Sequence, residues 1–447
     1  MRTGLLAAGI LLLLAEIAAR LLPPAWKTPT YTYLAAGHEE YFGTARVTVP
    51  YDALRPYYWR PRPSTPLTNR QGFRGADWET NKTPGVFRIA CLGCSCTMGG
   101  QEPYAQRLDR LLREAVGPGH FEVLNAGVGS SSTHQIRQIL EHEVLPYRPD
   151  LLIVYSGWND LAVHDGRPDA RHRLPAPWQQ KMQRLLQPSH LHRLLSHLAG
   201  ASARRHPVQR VPVEDYERNL RDIVELGRRH GARTLLCTFA DGMDERVIAT
   251  RRERRPGPHD WQHDLYRVYL PHSADPREQW RFAVTQYHDA VRRAATREGA
   301  EVLDLHAALA PRPSSDAGPG LAWFKDGTHF TERGLQEVAL HLARQILAPA
   351  ERAALDRYAD SPAYFLTNAA TFAAQFQFAA AADFLRRAGT EDPALRALIE
   401  QERPFYDRYE AARHELSNGG DPARAAAWLR ECLELRPGNH DVRLDLA

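Results

Sequence analysis

The chain has 447 residues, which predicts two or three domains at about 100–200 residues per domain. Its 43% hydrophobic and 25% charged residues are typical of a globular protein, and they exclude a mostly disordered, collagenous or multi-span membrane chain. The 57 Lys and Arg residues nearly balance the 53 Asp and Glu residues, so the net charge of +4 does not indicate a nucleic-acid surface.

The first 24 residues resemble a targeting segment. Residues 4–15 are apolar but would span only about 18 Å of helix, against a hydrocarbon layer of about 30 Å. A run continued to residue 22 is long enough for an anchor if Glu16 and Arg20 pair near one end. The absence of a clean cleavage site before Pro23 favours an uncleaved signal anchor over a cleaved signal peptide. We therefore expect a membrane-anchored protein whose body lies outside the cytoplasm, periplasmic or at the cell surface, or a secreted protein if the segment is cleaved.

Residues 25–85 are rich in Pro, Tyr, Trp and Arg without sustained periodicity, and they end in a turn signal. This composition predicts an extended lead-in that packs on the following domain.

From residue 86 onward, short apolar runs alternate with helical patterns. Gly231 and Gly299 end the helices that precede the last two strands. The alternation predicts an α/β domain over residues 86–350, with three α/β/α layers around a doubly wound parallel sheet of the flavodoxin-like type. The predicted strands are 89–92, 123–124, 151–155, 234–239 and 302–305.

Two stretches, 161–213 and 241–275, are longer than ordinary connections. Insertions of this length cover a site, bind something, or elaborate the surface. After residue 350 the chain becomes alanine-rich and helical, and the pattern from Tyr409 to Pro437 resembles one tetratricopeptide unit. Residues 351–447 are therefore predicted to form a tetratricopeptide-like helical region that could bind a protein partner.

Unusual polar residues follow several of the predicted strands, where open α/β sheets gather their reactive groups. The first strand is followed by residues 93–100, GCSCTMGG, which present the Ser95 hydroxyl. The next two strands are followed by residues 125–130, NAGVGS, and 157–160, GWND. Beyond the last strand, residues 326–329, DGTH, precede a helix.

These residue types suit nucleophilic catalysis. A serine hydroxyl is a poor nucleophile at neutral pH, so it needs an imidazole to accept its proton and a carboxylate to orient that imidazole. Asp326 and His329 lie three positions apart and can act in this way on Ser95. An oxyanion could be bound by the backbone N–H of Ser95, a backbone N–H of Gly129 or Ser130, and the side chain of Asn159.

The four stretches, in this order, resemble the SGNH/GDSL hydrolase family over about residues 50–348. Residues 68–74, TNRQGFR, are similar to a segment that precedes the nucleophile in bacterial, often membrane-anchored members. By position, the resemblance implies that Ser95 is the nucleophile, Asn159 an oxyanion donor, Asp326 the orienting acid and His329 the base.

Two positions depart from the family pattern. Cys94 stands where the family has Asp, and Ser130 stands where the oxyanion-hole Gly is expected. Because the expected donor is a backbone N–H, either Ser130 or the preceding Gly129 could supply it.

Two further carboxylates are interpreted as structural, whereas three aromatic residues have two interpretations. Asp160 and Asp304 are carboxylates near strand ends that compete with Asp326. Trp158, Trp323 and Phe330 adjoin the site and line an acyl or sugar pocket or pack in the core.

The five cysteines are too few for a disulfide framework. Cys91, Cys94 and Cys96 lack a second pair at ligand spacing, so we expect no metal, and nothing indicates another cofactor. With no basic neighbour in the sequence to lower the pKa, Cys94 and Cys96 are interpreted as packing thiols.

The resemblance implies a serine ester hydrolase that forms an acyl-enzyme. Its expected substrate is an envelope carbohydrate O-acyl group or a lipid ester, and no nucleic acid is involved. An O-acyltransferase would use the same residues. A non-catalytic scaffold acting through the helical region remains a further alternative.

Overall fold

The structure is a computed structural model. It describes residues 2–21, 38–42, 45–49, 51–54, 58–165, 168–173, 176–186, 189–192, 194–195, 207–242, 275–309, 323–325, 327–390, 392–418 and 421–446. The expected insertion 241–275 therefore lies almost entirely outside the described residues.

The N-terminal part holds a helix and two hairpins. Strands β1 and β2 pair antiparallel, as do β3 and β4. Their bounds are α1 (Arg2–Leu21), β1 (His38–Phe42), β2 (Ala45–Val49), β3 (Tyr51–Leu54) and β4 (Tyr58–Pro61).

Within the described ranges, no helix combines the length and the apolar character needed to cross a membrane. The transmembrane helix expected within residues 1–24 is therefore not supported. Glu16 and Arg20 place two charges in the last two turns of α1, where they interrupt its apolar sequence.

The described part of the chain contains one central sheet of five parallel strands, in the order β11-β10-β7-β5-β6. This is the flavodoxin-like arrangement, in which the first strand of the sheet lies between the second and the third. The strands that follow β4 are β5 (Phe87–Gly93), β6 (Phe121–Gly127), β7 (Leu151–Tyr155), β8 (Val163–Asp165), β9 (Pro207–Gln209), β10 (Arg233–Cys237) and β11 (Glu301–Leu303).

The predicted α/β fold is confirmed. All five predicted strands are present. The central strands β5 and β7 are short apolar runs that the sheet buries almost completely, whereas the edge strand β11 is only half-buried. The bounds shift by a few residues: β6 is longer than predicted, and β10 ends before Phe239. Strands β8 and β9, which were not predicted, pair antiparallel within the insertion 161–213.

Helices cover both faces of the sheet. Their bounds are α2 (Ser95–Met98), α3 (Tyr104–Val116), α4 (Thr133–Ile139), α5 (Pro177–Leu186), α6 (Val213–Arg229), α7 (Pro276–Glu298), α8 (Leu305–Ala308) and α9 (Glu332–Ile346). Helix α3 packs against α9, whereas α4 and α7 pack against α6. The buried stripe of α9, which includes Leu335, Val338 and Leu342, follows the helical repeat expected from the sequence.

The C-terminal region is helical, as predicted. It comprises α10 (Pro349–Ala359), α11 (Pro362–Ala374), α12 (Phe378–Ala388), α13 (Pro393–Asn418), α14 (Pro422–Leu435) and α15 (His440–Leu446). Helix α11 pairs with α12, α13 pairs with α14, and α10 packs on α3 of the α/β domain. The tetratricopeptide type of this region stays a prediction, as does the domain boundary at 350.

Candidate active site

The carboxyl ends of three neighbouring strands bring the candidate residues to one edge of the sheet. In the pairing register, Gly93 at the end of β5 lies opposite Gly127 on β6 and Tyr155 on β7. The three loops therefore leave the sheet at the same level. Ser95 follows the first strand by two residues, and Asn159 follows the third by four.

A short turn holds the Ser95 hydroxyl above the sheet. Ser95 is the first residue of α2, and the Cys94 carbonyl accepts hydrogen bonds from the N–H groups of Thr97 and Met98 at 3.0 and 2.9 Å. A Cβ atom at Gly127 would lie 2.2 Å from the Met98 nitrogen, so glycine is required for β6 to approach this turn. The amide of Asn125 also donates to the Thr97 carbonyl at 2.9 Å, which ties the turn to β6.

The structure places the predicted base on the predicted nucleophile. Oγ of Ser95 lies 2.9 Å from Nε2 of His329, and both residues are half-buried. A bridge between Phe324 and Phe330 shapes the turn that carries His329, and the N–H of Lys325 donates to the His329 carbonyl at 2.9 Å. This separation permits direct proton transfer between hydroxyl and imidazole.

The other ring nitrogen of His329, Nδ1, lies 3.1 Å from the hydroxyl of Thr328. Asp326, the predicted orienting acid, lies outside the described residues. Asp304, its competitor, accepts hydrogen bonds from Thr238 and Arg292, both at 2.8 Å. Burial raises the pKa of Asp304, but the backbone N–H of Ala307 and these side chains outweigh burial and leave the pKa at about 2.

The loop after β6 contains an unusual backbone conformation at Ser130. Ser130 has a φ of 58°, in the left-handed region that glycine adopts without strain. Serine therefore occupies this position in the conformation that favours the family's glycine. The preceding carbonyl, of Gly129, accepts a 3.0 Å hydrogen bond from Nε1 of Trp59. The Asn159 amide donates to the Ser131 carbonyl at 3.2 Å, which brings Asn159 to the same loop.

Asp160 connects the loop after β7 to the first residue of α4, Thr133. Its Oδ1 accepts hydrogen bonds from the N–H of Thr133 at 2.8 Å and from the Thr133 hydroxyl at 2.5 Å. Its Oδ2 is buried and has no hydrogen-bond partner among the described residues. Burial raises the pKa of Asp160 to about 7, although Thr133 partly offsets the effect.

Arg74 connects the lead-in to residues 100–101, which follow the turn that carries Ser95. The side chain of Arg74 donates to the carbonyls of Gly100 and Gln101, both at 3.0 Å. Arg74 also forms a backbone bridge to Asn125 on β6. The family-like segment 68–74 was the sequence signal for this contact, but the segment alone did not reveal its target.

A buried arginine that the sequence did not single out connects the site to the C-terminal helices. Arg107 on α3 is fully buried and donates to Glu332 at 2.7 Å and to Gln375, just after α11, at 2.9 Å. Glu332 follows His329 by three residues and also accepts a 2.9 Å hydrogen bond from the N–H of Gln101. The Glu332 carboxylate thus connects the loop after α2 to the segment that carries His329. Through Arg107 it also connects both of them to the C-terminal region.

Of the three aromatic residues beside the site, two are buried in the core and one is partly exposed. Trp158 is buried and stacks on Trp280, with ring centroids 5.5 Å apart. Phe330 is buried against Phe324 and Tyr155. Trp323 is half-buried beneath the guanidinium of Arg333. Core packing therefore accounts for Trp158 and Phe330.

The cysteines near the nucleophile are buried. The Cys96 thiol donates to the Thr328 carbonyl across a 3.4 Å separation, so it links the nucleophile turn to the histidine turn. Contacts with the side chain and backbone of Cys96, together with the nearby His329, lower the pKa of the Cys94 thiol. The interpretation of Cys94 as a plain packing thiol considered only basic neighbours, and it therefore missed the contact with Cys96 and the nearby imidazole of His329. In the described part of the chain, no three His, Cys, Asp or Glu side chains cluster as metal ligands.

Comparisons with known proteins give one family match. The model of the GDSL-like lipase/acylhydrolase family matches residues 89–336. The comparison with curated proteins found no match.

Solved structures similar to the chain include a lipase/acylhydrolase from Enterococcus faecalis, which is 19% identical with a TM-score of 0.35. The alignment covers 58% of this chain and 95% of that chain. A catalytic mutant of an acetylxylan esterase from Geobacillus stearothermophilus is 16% identical with a TM-score of 0.37, over 60% of this chain and 97% of that chain. The family match spans more than half of the chain and includes every candidate residue from Ser95 to His329. The chain belongs to the GDSL-like lipase/acylhydrolase family and is an ester-bond hydrolase.

Proposed function

We propose that the protein hydrolyses its ester through a covalent acyl-enzyme formed on Ser95. The observation that carries this proposal is the 2.9 Å separation between Oγ of Ser95 and Nε2 of His329. His329 accepts the hydroxyl proton as Oγ attacks the ester carbonyl, and then donates that proton to the leaving alcohol. A water molecule, activated by the same imidazole, attacks the acyl carbonyl and releases the acid.

Asp326 is the proposed orienting acid. Its role is to hold Nδ1 of His329 in the protonated tautomer and to stabilise the imidazolium that forms during attack. The bonds of Asp304 to Thr238 and Arg292 support this choice, because they engage the competing carboxylate elsewhere.

The proposed oxyanion hole consists of the backbone N–H of Ser95, a backbone N–H of Gly129 or Ser130, and the amide of Asn159. The left-handed conformation of Ser130 and the contact of Asn159 with the Ser131 carbonyl support it. Donors fixed in this way stabilise the charge that develops in the tetrahedral intermediate without reorganising during the reaction.

The proposed substrate is an envelope carbohydrate O-acyl group or a lipid ester, reached by a protein that associates with a membrane outside the cytoplasm. The apolar residues that α1 exposes support membrane association. The C-terminal helices are proposed to offer a surface for a protein partner.

The proposed reaction can be tested by varying the length of the acyl group and by offering alcohols in place of water as the acyl acceptor. We expect p-nitrophenyl acetate to be cleaved with an initial burst of p-nitrophenol, because acylation and deacylation are separate steps. A series of acyl lengths distinguishes an O-acetyl substrate from a lipid ester. Added alcohols that divert the acyl group into a new ester, in preference to water, would identify an acyltransferase. Cleavage that persists in Ser95→Ala would overturn the acyl-enzyme.

A further inference from the structure

The insertion between β7 and α6 carries an apolar helix face that lies in the open. Helix α5 exposes Trp178, Met182, Leu185 and Leu186, and these positions recur at the spacing of one helix face. Trp178 and Leu185 are 67% and 71% exposed. Large apolar side chains grouped in this way on a surface indicate a contact that the described part of the chain does not supply.

Helix α1 presents a second apolar surface of a different kind. The five consecutive residues 10–14 are each more than half exposed, so apolar side chains point outward on all sides of the helix. A flat protein partner covers one face of a helix, whereas lipid can surround it. The covering material that fits this segment is therefore the acyl region of a bilayer.

A carboxylate joins these two surfaces. Glu16 of α1 accepts hydrogen bonds from the hydroxyl of Ser189 at 2.8 Å and from the backbone N–H groups of His190 and Leu191 at 2.8 and 2.9 Å. These residues begin three positions after α5 ends. The contact fixes the insertion beside the polar end of α1, where Glu16 also pairs with Arg20.

The positive charge of the insertion favours a membrane that contains anionic lipids. Residues 176–195 contain Lys181, Arg184 and Arg193 and no acidic residue. Basic residues on a helix with an apolar face are typical of segments that lie in the interface of an anionic membrane, and tryptophan favours the same depth.

We propose that α5 and residues 189–192 form, together with α1, one surface that binds an anionic lipid bilayer. The apolar side chains of α5 enter the headgroup boundary, and Glu16 marks the level at which α1 leaves the lipid. This inference rests on the proposed membrane association and adds to it a second, internal contact, which would set the distance of the catalytic body from the bilayer.

An environment-sensitive label tests the contact in the full-length chain. The native cysteines are buried, so Leu185→Cys can be labelled selectively with a nitrobenzoxadiazole dye. Leu398→Cys, an exposed leucine on α13, is the matched control. With vesicles containing phosphatidylglycerol, we expect the label at position 185 to shift to the blue and to be quenched by brominated lipid, while the label at position 398 does not change.

A second pair of variants keeps the test independent of labelling. Leu185→Glu should weaken vesicle binding by about tenfold or more, since it replaces an exposed leucine that would enter the lipid with a charged side chain, whereas Leu398→Glu should not. Protein that binds vesicles without a shift at position 185 overturns the inference and leaves the anchoring by α1 intact. If the protein does not bind vesicles at all, the contact made by α5 and the membrane association of α1 are both overturned. A shift that depends on protein concentration without vesicles, with a dimer in sedimentation, assigns the face to a second copy instead.

Discussion

The hydroxyl oxygen of Ser95 lies 2.9 Å from Nε2 of His329, although the two residues are 234 positions apart in the chain. Ser95 follows the central strand β5, and His329 lies on the turn before α9. The hydrogen bond therefore depends on the closure of the whole α/β domain, because α9 must pack on α3 for the histidine to reach the serine.

Loss of either member of this pair should abolish ester cleavage. We expect Ser95→Ala and His329→Ala each to lower kcat by about 10⁴-fold or more, because hydroxyl and imidazole act as a unit. Hydrolysis of p-nitrophenyl acetate measures the effect, and circular dichroism confirms folding. His230→Ala, at an exposed histidine, is the control and should keep full activity. Substantial activity in either of the first two variants would remove the mechanism.

The acid that orients His329 can be identified by two matched substitutions. Asp326→Asn should lower kcat strongly but incompletely, because the Thr328 hydroxyl 3.1 Å from Nδ1 can partly hold the ring. Asp304→Asn should retain activity and lose thermal stability, since it weakens the bond to Arg292. The reverse pattern would make Asp304 the catalytic acid.

Asn159→Ala removes one proposed oxyanion donor. We expect kcat to fall by about 100- to 1000-fold, with KM for a small ester little changed, because the lost interaction is made mainly in the transition state. Labelling of Ser95 by a phosphonate should be less affected than turnover. Unchanged turnover in folded protein would show that the loop after β7 is not part of the oxyanion hole.

The buried carboxyl of Asp160 should make stability depend on pH. Its pKa of about 7 in the folded protein exceeds the value of about 3.9 expected on unfolding, so the native state holds the proton more tightly. The stability contributed by this protonation is lost as the pH rises from about 4 through about 7.

Asp160→Asn replaces the titratable carboxyl with an amide, whose oxygen can still accept the hydrogen bonds from Thr133. The Tm of the variant minus that of the wild type should therefore increase between about pH 5 and about pH 8. The facing charges, Arg210 and Asp169, are unchanged in both proteins, so they do not create the difference. A constant gap in Tm would contradict the raised pKa.

The buried pair of Arg107 and Glu332 should be required for stability. Arg107→Met should lower the free energy of unfolding by about 3–5 kcal/mol, because it leaves a largely buried carboxylate without its partner. Arg403→Met breaks a more exposed i,i+4 pair with Asp407 on α13 and should cost less than about 1 kcal/mol. Denaturant unfolding measures both, and equal effects would contradict the role assigned to the buried pair.

Much of this arrangement could be predicted because its signals are local. A buried parallel strand is a short apolar run, and polar residues placed just after such runs must meet at one edge of the sheet. For this reason Ser95 and Asn159 could be placed at one edge of the sheet from the sequence. His329, which lies far beyond β11 on the turn before α9, was assigned instead from the DGTH motif and the family resemblance. The helical character of residues 351–447 followed from composition in the same way.

The contacts that escaped prediction are those that depend on tertiary packing. Arg107 has the sequence context of an ordinary helix arginine, and only the docking of α9 and α11 buries it. Trp59 likewise reaches the Gly129 carbonyl from a distant hairpin. The apolar run from residue 4 to residue 22 indicated a signal anchor or a signal peptide, but sequence hydropathy did not show that Glu16 binds the insertion.

Labelling with a serine-directed fluorophosphonate, mapped by peptide mass spectrometry, tests whether Ser95 is the nucleophile. We expect stoichiometric modification of Ser95 in the wild-type protein, with parallel loss of esterase activity and with slow or absent labelling in His329→Ala. Modification of a different serine, or full esterase activity in protein whose Ser95 is fully modified, would show that Ser95 is not the nucleophile.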